Sequence, residues 1–247
     1  MKLSNISKTL FFTLCSRAMD SNFNDYLAQE ILKIKPELKK YRPDFFTQQL
    51  IVNRAQFFDR QIVRKKNQYP TQKWCLINLG GGLCSRFERV KPSISNSIHL
   101  DLPEVIDLVN HLFPQKPKSL ISADLSDFSW VEQVKMQLNE NEIPIFCMEG
   151  VSMYLNKNIF LQITKELQDN FLKGVFICDL LHPFFSGKSY LVNSVSKVGA
   201  DFTSGIKTPN EILDYSPKLQ LEIVKPPFTK VSLPFNLYQF ATFSWGL

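Results

Sequence analysis

Apolar side chains recur at helical spacing through the first part of the chain. Between residues 24 and 35 they return at steps of three to four residues, and the pattern stops before Pro36. The same spacing returns between residues 46 and 62, shortly after Asp44, whose carboxylate can cap the first turn of a helix. Residues 1–70 are therefore predicted to form a helical N-terminal segment.

From Trp74 the pattern changes to short apolar runs separated by amphipathic stretches. Short runs bounded by turn residues are typical of buried strands, and alternation of such strands with helices is typical of a parallel sheet. The predicted strands are 74–79, 97–101, 119–123, 143–148 and 175–181. The predicted helices between them are 84–90, 103–111, 130–138 and 156–170.

The pattern changes again after the fifth predicted strand. Residues 183–217 lack strand character and contain several glycines, and we expect them to form a helical lid over the sheet edge. Residues 219–224 and 237–244 alternate, and the second stretch is rich in aromatic side chains, which favours an antiparallel hairpin at the far edge of the sheet. The prediction is a single α/β domain over 1–247, with a core at 74–182, the lid at 183–217 and C-terminal strands at 218–247.

Four predicted strands in turn carry a glycine or an acid at or just past their carboxyl end. These residues are Gly80, Asp101, Asp124 and Glu149. Parallel sheets bind ligands at this edge, so the four positions favour a binding site there. A lone acid at a strand end is more often a helix cap, but four such ends in succession are harder to explain as caps.

The turn at Gly80, Gly81 and Gly82 suggests what kind of ligand is bound. Glycines allow a sharp turn and the close approach of a ligand, although three of them together are also compatible with a flexible loop. Asp101 follows about 20 residues later, where such sheets place the acid that binds a ribose. Ser85 replaces the third glycine of the dinucleotide pattern, and no phosphate-binding lysine follows. A nucleoside ligand without a pyrophosphate is therefore favoured over NAD or ATP.

Composition narrows the class of protein. A chain of 247 residues with 44% hydrophobic residues is globular and can bury a full core. The net charge of +6 comes from scattered lysines, so we predict no nucleic-acid partner. No stretch of about 20 apolar residues is present, and no membrane span is predicted. The five cysteines form no CxxC pair, which indicates reduced thiols in a cytoplasmic protein and no metal site.

Arginines are confined to the first third of the chain, between Arg17 and Arg89. Any two-pronged clamp on a carboxylate must therefore come from this region. Arg17 and Arg54 interrupt apolar surroundings on the predicted helices. Each either extends to solvent or has a fixed partner, and the local pattern leaves both readings open.

Four segments together resemble the leucine carboxyl methyltransferase family, a branch of the class I S-adenosylmethionine-dependent methyltransferases. They are residues 77–86, 100–106, 124–130 and 149–155. Within the family the chain is most similar to bacterial O-methyltransferases of the tetracenomycin polyketide type. The resemblance implies a Rossmann-like class I methyltransferase sheet, mostly parallel with an antiparallel C-terminal edge, and S-adenosylmethionine as the cofactor.

The resemblance also implies roles for individual residues. Arg54 pairs with the methionine carboxylate of the cofactor, the three glycines lie along its methionine part, and Glu149 faces its amino end. Asp101 binds the ribose hydroxyls, and Asp124 with Leu125 holds the adenine. The implied cofactor-binding residues are thus Arg54, Gly80, Gly81, Gly82, Asp101, Asp124, Leu125 and Glu149.

Two departures from the family pattern lie in the glycine-rich turn. The family usually has Gly-Ala-Gly-Leu-Asp-Thr-Arg, whereas this chain has Gly81 for the alanine and Cys84-Ser85 for Asp-Thr. An extra glycine leaves space open at some loss of rigidity. Loss of the aspartate is expected to weaken a helix cap rather than to remove a cofactor contact.

The resemblance implies methyl transfer to an oxygen of a small-molecule acceptor. A carboxylate acceptor has a pKa of about 4 and is ionised at pH 7, so it needs no general base. A hydroxyl acceptor needs one, and His182 is the nearest candidate, although a histidine before a proline is more often a loop residue. Tyr154 either contacts the substrate or cofactor, or packs at the start of a helix. No catalytic residue is assigned from the sequence.

Two other functions remain open at this stage. The first is methylation of the C-terminal carboxylate of a protein, which needs a lid open to a peptide. The second is binding of the cofactor without catalysis by a protein that acts through interaction, for which the altered turn is the argument.

Overall fold

The structure, a computed structural model, describes residues 3–113, 117, 119–227 and 237–247. Parts of two predicted segments, residues 1–2 and 228–236, lie outside the described residues. Three helices form the N-terminal part: α1 (Leu10–Met19), α2 (Tyr26–Ile34) and α3 (Phe45–Gln68). Asp44 caps α3 as predicted, because its carboxylate accepts a hydrogen bond of 2.9 Å from the Thr47 amide.

Seven strands form one sheet in the order β3-β2-β1-β4-β5-β7-β6. The first five in this order are parallel, and β7 is antiparallel to both β5 and β6. The strands are β1 (Lys73–Leu79), β2 (Asn96–Asp101), β3 (Ser119–Ser122), β4 (Glu142–Met148), β5 (Gly174–Leu181), β6 (Gln220–Lys225) and β7 (Tyr238–Trp245). The predicted fold class, including the antiparallel C-terminal edge, is confirmed.

The helices after β1 are α4 (Arg86–Arg89), α5 (Pro103–Leu112), α6 (Trp130–Gln137), α7 (Lys157–Asn170), α8 (Asn193–Ser196) and α9 (Asn210–Tyr215). Helix α4 is shorter than the predicted 84–90, and a 3-10 turn, Lys91–Ser93, follows it. Among the described residues, none of the helices combines the length and apolarity needed to cross a bilayer.

Both faces of the sheet are covered by apolar layers. Successive side chains of a strand point to opposite faces, so Ile77 packs in one layer and Leu76 in the other. The layer around Leu76 includes α1, α2 and α3, and the layer around Ile77 includes α6 and α7. Every residue of β5 is buried, which explains its continuous apolar run in the sequence.

The strand order places a crevice beside the central strand β1. From β1 the chain first builds β2 and β3 on one side and then β4 and β5 on the other. The connections after β1 and β4 therefore diverge, and the carboxyl ends of these two strands border the crevice.

The predicted lid, residues 183–217, is mostly irregular rather than helical. It contains two 3-10 turns, Pro183–Phe185 and Ser189–Leu191, and the two short helices α8 and α9. Hydroxyls attach it to the segment after β4, since Ser204 Oγ donates to the Leu155 carbonyl at 2.6 Å. Its glycines and prolines prevent longer helices.

Residues 5–17, here called the N-terminal cover, lie across the carboxyl edge of the sheet. Asn5 Nδ2 donates to the Gly199 carbonyl of the lid at 3.2 Å. Ser7 Oγ donates to Glu104 Oε1 at the start of α5 at 3.0 Å. The cover therefore links the lid to the helix that follows β2.

Candidate functional site

Two glycines end the strands that border the crevice. Gly80 follows β1 with φ +66°, and Gly150 lies just after β4 with φ +70°, a backbone conformation that favours glycine. A Cβ at Gly80 would lie 2.6 Å from Val151 Cγ2, and one at Gly150 would lie 2.9 Å from Arg54 Nη2. These turns thus need glycine for both backbone conformation and space.

The amides of the glycine-rich turn are already bonded within the protein. Gly80 and Gly81 N–H groups donate to the Leu100 carbonyl at 2.9 and 3.1 Å, and the Gly82 N–H donates to Asp101 Oδ2 at 2.6 Å. The N–H groups of these three glycines therefore already have acceptors within the protein. The acceptors lie at the end of β2, beside the turn: the Leu100 carbonyl accepts two of these hydrogen bonds and the Asp101 carboxylate accepts the third. Helix α4, with four residues, adds no anion site.

His99 fills the space beneath the turn. A Cβ at Gly81 would clash with the His99 ring, whose Nε2 lies 3.0 Å from the Gly82 carbonyl. Burial lowers the pKa of His99 to about 4, so its ring is neutral. Glycine at residue 81, where the resembled family has alanine, is thus explained by the histidine packed against it.

A small cavity lies between the glycine-rich turn, β1, β4 and the helices α1 and α3. Its volume is about 30 Å³, room for one or two water molecules. Thr13 and Arg17 of α1, which belong to the N-terminal cover, form part of its wall. The lining residues are Thr13, Arg17, Arg54, Asn78, Gly80, Gly81, Cys84, Arg86, Cys147 and Glu149.

Arg54 is buried in the wall of this cavity and has fixed partners. Its Nε donates to Glu149 Oε1 at 3.1 Å, and its Nη1 donates to the Tyr238 hydroxyl at 2.9 Å and to Asp179 Oδ2 at 3.3 Å. Among the described residues, Nη2 has no acceptor. One amino group of the guanidinium therefore remains available in the cavity wall.

Arg86 holds the other side of Glu149. Its Nη2 donates to Glu149 Oε2, its Nε to Asp59 Oδ1 at 2.8 Å and its Nη1 to Asn78 Oδ1 at 3.2 Å. Burial alone would raise the pKa of Glu149, but Arg86 and Arg54 lower it to about 2. Glu149 is therefore a carboxylate at neutral pH. Asn78 Nδ2 is buried with no partner in the described part of the chain.

The buried charges continue from the cavity into the N-terminal helices. Arg17 Nε and Arg89 Nη1 each donate to Asp25 Oδ2 at 2.8 Å, and Arg17 Nη2 donates to the Leu83 carbonyl at 2.6 Å. Burial opposes the charge of Asp25, but the two arginines lower its pKa to about 2. Four arginines thus face four carboxylates in one network: Arg17, Arg54, Arg86 and Arg89 with Asp25, Asp59, Glu149 and Asp179.

Asp101 lies beside the turn but does not line the cavity. Its two oxygens accept from the Gly82 and Leu102 amides, at 2.6 and 2.7 Å. Burial raises its pKa to about 6, against the lowering effect of the two amides. Each oxygen retains a lone pair for a further donor.

The structure does not bring Asp124 and Leu125 to the cavity. Asp124 is exposed, and its Oδ1 accepts from the Ser126 amide at 2.8 Å, as in a turn cap. Leu125 is buried in the apolar layer that contains Ile77. Both residues follow β3, which is separated from β4 by two strands, β2 and β1.

Tyr154 and His182 lie under the lid, outside the cavity lining. The Tyr154 ring packs on Phe202 at a centroid distance of 5.7 Å, and burial raises its pKa to about 12, so its hydroxyl is protonated. His182 Nδ1 accepts a hydrogen bond of 3.1 Å from the Phe184 amide. A neutral His182 therefore carries its proton on Nε2, which leaves no basic lone pair free.

Several polar residues in or beside the site were not predicted from the sequence, among them Asn78, Asp179 and Tyr238. Asn78 stands inside an apolar run, where it gives no separate signal. Asp179 lies within the predicted strand 175–181, and Tyr238 begins a strand far along the chain. No spacing rule connects Tyr238 with Arg54, because the two meet only when β7 pairs with β5.

Comparison with known proteins shows the fold. No protein-family model and no curated protein matches the chain. A DUF574 family protein from Streptomyces avermitilis aligns over 98% of this chain and 97% of its own, with a TM-score of 0.60 and 9% identity. At such identity the likeness is one of fold alone.

Two other solved structures have names that state an activity. A SAM-dependent methyltransferase from Anabaena variabilis aligns over 76% of this chain and 84% of its own, with a TM-score of 0.54 and 14% identity. N-methyltransferase NodS from Bradyrhizobium japonicum aligns over 78% and 97%, with a TM-score of 0.51 and 12% identity. The chain spans 46% of the length of LepI, solved with SAM (74% of this chain, 10% identity, TM-score 0.47). The DUF574 family protein, the Anabaena protein and NodS thus share the fold of this chain, a mostly parallel sheet with flanking helices.

Proposed function

We propose that this protein is an S-adenosylmethionine-dependent methyltransferase that acts on an oxygen of a small molecule. The observation that carries the proposal is the pairing of Arg54 and Glu149 in the cavity at the carboxyl ends of β1 and β4. A buried cation and a buried anion side by side suit the zwitterionic amino-acid end of this cofactor. The fold shared with methyltransferases supports the same assignment.

The residues around the cavity fit such a ligand chemically. Asn78 Nδ2 is a buried donor without a partner among the described residues. The hydrogen bonds of Arg54 to described residues use Nε and Nη1 and leave Nη2 for a ligand, and both side chains line the cavity. In the proposal Arg54 holds the ligand carboxylate and Glu149 its ammonium group. The glycines at 80–82 lie beside the methionine part of the cofactor, and Asp101 accepts hydrogen bonds from the ribose hydroxyls. Asp124 and Leu125 are proposed for the adenine.

The cofactor supplies an activated methyl group on a sulfonium. The protein then has to align the acceptor oxygen and exclude water. A carboxylate acceptor fits the site better than a hydroxyl or an amine, since both of the latter have to lose a proton. His182 is the nearest candidate base, and its Nδ1 is engaged by the Phe184 amide. We therefore place a small carboxylic acid first, with Tyr154 and His182 near the substrate.

Membership of the leucine carboxyl methyltransferase branch, and of its polyketide-type group, is part of this proposal. The small acceptor is favoured over a protein C-terminus because the lid and the N-terminal cover are joined across the edge, by Asn5 and Gly199. The remaining alternative hypothesis is that the protein binds the cofactor but does not catalyse methyl transfer.

Two measurements test the proposal. Calorimetry is expected to show binding of S-adenosylhomocysteine in the low-micromolar range and much weaker binding of NAD and ATP; equal affinity for NAD would contradict it. Mass spectrometry of products from labelled cofactor, offered acids, phenols and amines, is then expected to find methyl esters. Ligand binding without any product across the panel would favour the non-catalytic reading.

The pH dependence separates the two oxygen acceptors. With saturating cofactor, a carboxylate acceptor is expected to give a rate that is nearly flat from about pH 6 to 8, because it is ionised throughout. The variant His182→Ala is then expected to change the rate only slightly. A rate that rises tenfold per pH unit and is lost in His182→Ala would indicate a hydroxyl acceptor with His182 as base.

A further inference from the structure

Arg54 is held by two residues that lie outside the cavity lining, Asp179 and Tyr238. The Tyr238 hydroxyl accepts from Arg54 Nη1 at 2.9 Å and donates to Asp179 Oδ2. The same Asp179 oxygen accepts from Arg54 Nη1 at 3.3 Å. Three side chains from α3, β5 and β7 thus form a closed triangle of hydrogen bonds.

Asp179 also joins this triangle to the turn after β4. Its Oδ1 accepts from the Gly150 amide at 2.7 Å, and its side chain is fully buried. Gly150 in turn lies against the guanidinium, so close that a Cβ would touch Arg54. One carboxylate therefore fixes both the guanidinium and the backbone turn that bounds it.

The triangle determines which nitrogen of Arg54 is left for a ligand. Nε is engaged by Glu149, and Nη1 is shared by Asp179 and Tyr238. With two of the three nitrogens fixed, the planar guanidinium cannot rotate, and Nη2 keeps one direction. Arg54 lines the cavity, and Nη2 has no acceptor among the described residues.

We propose that Asp179 and Tyr238 are positioning residues for Arg54, which hold its Nη1 so that Nη2 receives the carboxylate of the bound ligand. This inference rests on the proposed function. Neither residue touches the ligand in this proposal, and both act through the arginine. Their effect is therefore confined to ligands that carry the amino-acid end.

The variant Tyr238→Phe tests the inference because it removes one hydroxyl and keeps the ring that packs on Phe240 at 5.5 Å. Two probes are compared by calorimetry: S-adenosylhomocysteine, and 5′-methylthioadenosine, which lacks the amino-acid end. We expect about a tenfold loss of affinity for the first and no change for the second. Asp179→Asn is expected to give the same split if Tyr238→Phe lowers the yield of folded protein.

A matched control is Tyr215→Phe, which removes a hydroxyl that donates to Gln162 Oε1 at 3.0 Å on a distant surface. It is expected to leave both affinities unchanged. An equal loss for both probes in Tyr238→Phe, or no loss for either, overturns the inference. Failure of the unmodified protein to bind S-adenosylhomocysteine overturns the proposed function itself, and this inference with it.

Discussion

At the scale of single residues, two properties of the site can be tested: the space available for a side chain at Gly150 and the protonation of Asp101. Gly150 combines a positive φ with contact to a charged side chain, so its replacement affects Arg54 directly. Asp101 combines burial with two amide donors, so its charge depends on pH near neutrality. Each feature leads to a measurable effect on ligand binding.

Gly150→Ala is expected to weaken S-adenosylhomocysteine binding at least tenfold, because the new methyl would lie 2.9 Å from Arg54 Nη2 and displace it. Calorimetry measures the loss. Gly187→Ala is the matched control. Gly187 also has a positive φ, +66°, but a Cβ there would have no atom within 4 Å, so this variant introduces the backbone strain without a new side-chain contact. Similar loss of affinity in both variants would mean that the contact with Arg54 has no role.

Binding of S-adenosylhomocysteine is expected to weaken below about pH 6, where Asp101 takes up a proton and accepts fewer hydrogen bonds. The pKa of the folded carboxyl is raised above its ordinary value. Protonation therefore favours the folded state between about pH 6 and pH 4, and loss of affinity there is not unfolding driven by this group. Calorimetry across pH 5–8 checks this, and Asp101→Asn is expected to bind weakly at every pH. A wild-type affinity that stays constant down to pH 5 would contradict the role of Asp101.

At the scale of elements, helix α1 is attached to the site by one buried arginine. Arg17 connects α1 to the cap of α2 through Asp25 and to the glycine-rich turn through the Leu83 carbonyl. Because α1 forms part of the cavity wall, its attachment controls both stability and access. The bond to Leu83 is made to backbone, so it does not depend on a second side chain.

Arg17→Ala is expected to lower the free energy of unfolding by about 3 kcal/mol, because it leaves the buried Asp25 with Arg89 as its remaining cation. Chemical denaturation measures the change, and hydrogen exchange is expected to quicken in residues 10–19. Lys33→Ala is the control on the adjacent helix, since Lys33 is exposed and its pairing with Glu30 contributes little. A change in Arg17→Ala as small as that in Lys33→Ala would show that the buried pair is not stabilising.

The elements themselves were largely predictable, whereas the contacts between them were not. Five strands follow from apolar runs, because β4 and β5 are buried on both faces and leave a continuous signal. The lid was predicted as helical but is irregular, since apolar spacing there is interrupted by glycines and prolines. The direction of the turn amides depends on the Leu100 carbonyl of a neighbouring strand, which no local pattern encodes. Tyr238 meets Arg54 only through strand pairing.

At the scale of the whole molecule, the reactivity of the cysteine thiols measures which parts of the fold become accessible to solvent. All five cysteines are buried in the described structure, and none of them forms a disulfide there. Burial raises the pKa of Cys15 to about 11 and of Cys147 to about 12, so both react slowly in the folded protein. Cys84 and Cys147 line the cavity, whereas Cys75 and Cys178 lie in the sheet core.

Labelling by a maleimide is therefore expected to depend on position. S-adenosylhomocysteine is expected to slow the labelling of Cys84 and Cys147 more than that of Cys75 and Cys178, because the ligand occupies the cavity that the first pair lines. Peptide mass spectrometry after timed labelling measures each site. Equal protection of all four thiols would mean that the ligand stabilises the whole fold rather than this cavity.

The strand order also determines when the protein can finish folding during its synthesis. β7 is made last of the seven strands, yet it lies between β5 and β6, and in the described sheet β6 pairs only with β7. Until residues 238–245 leave the ribosome, β5 presents an open edge to other chains. The hydrogen bond between Arg54 and Tyr238 likewise cannot form until β7 has been made. The contact that fixes Arg54 is therefore made only after the strands β1 to β6 have been synthesised.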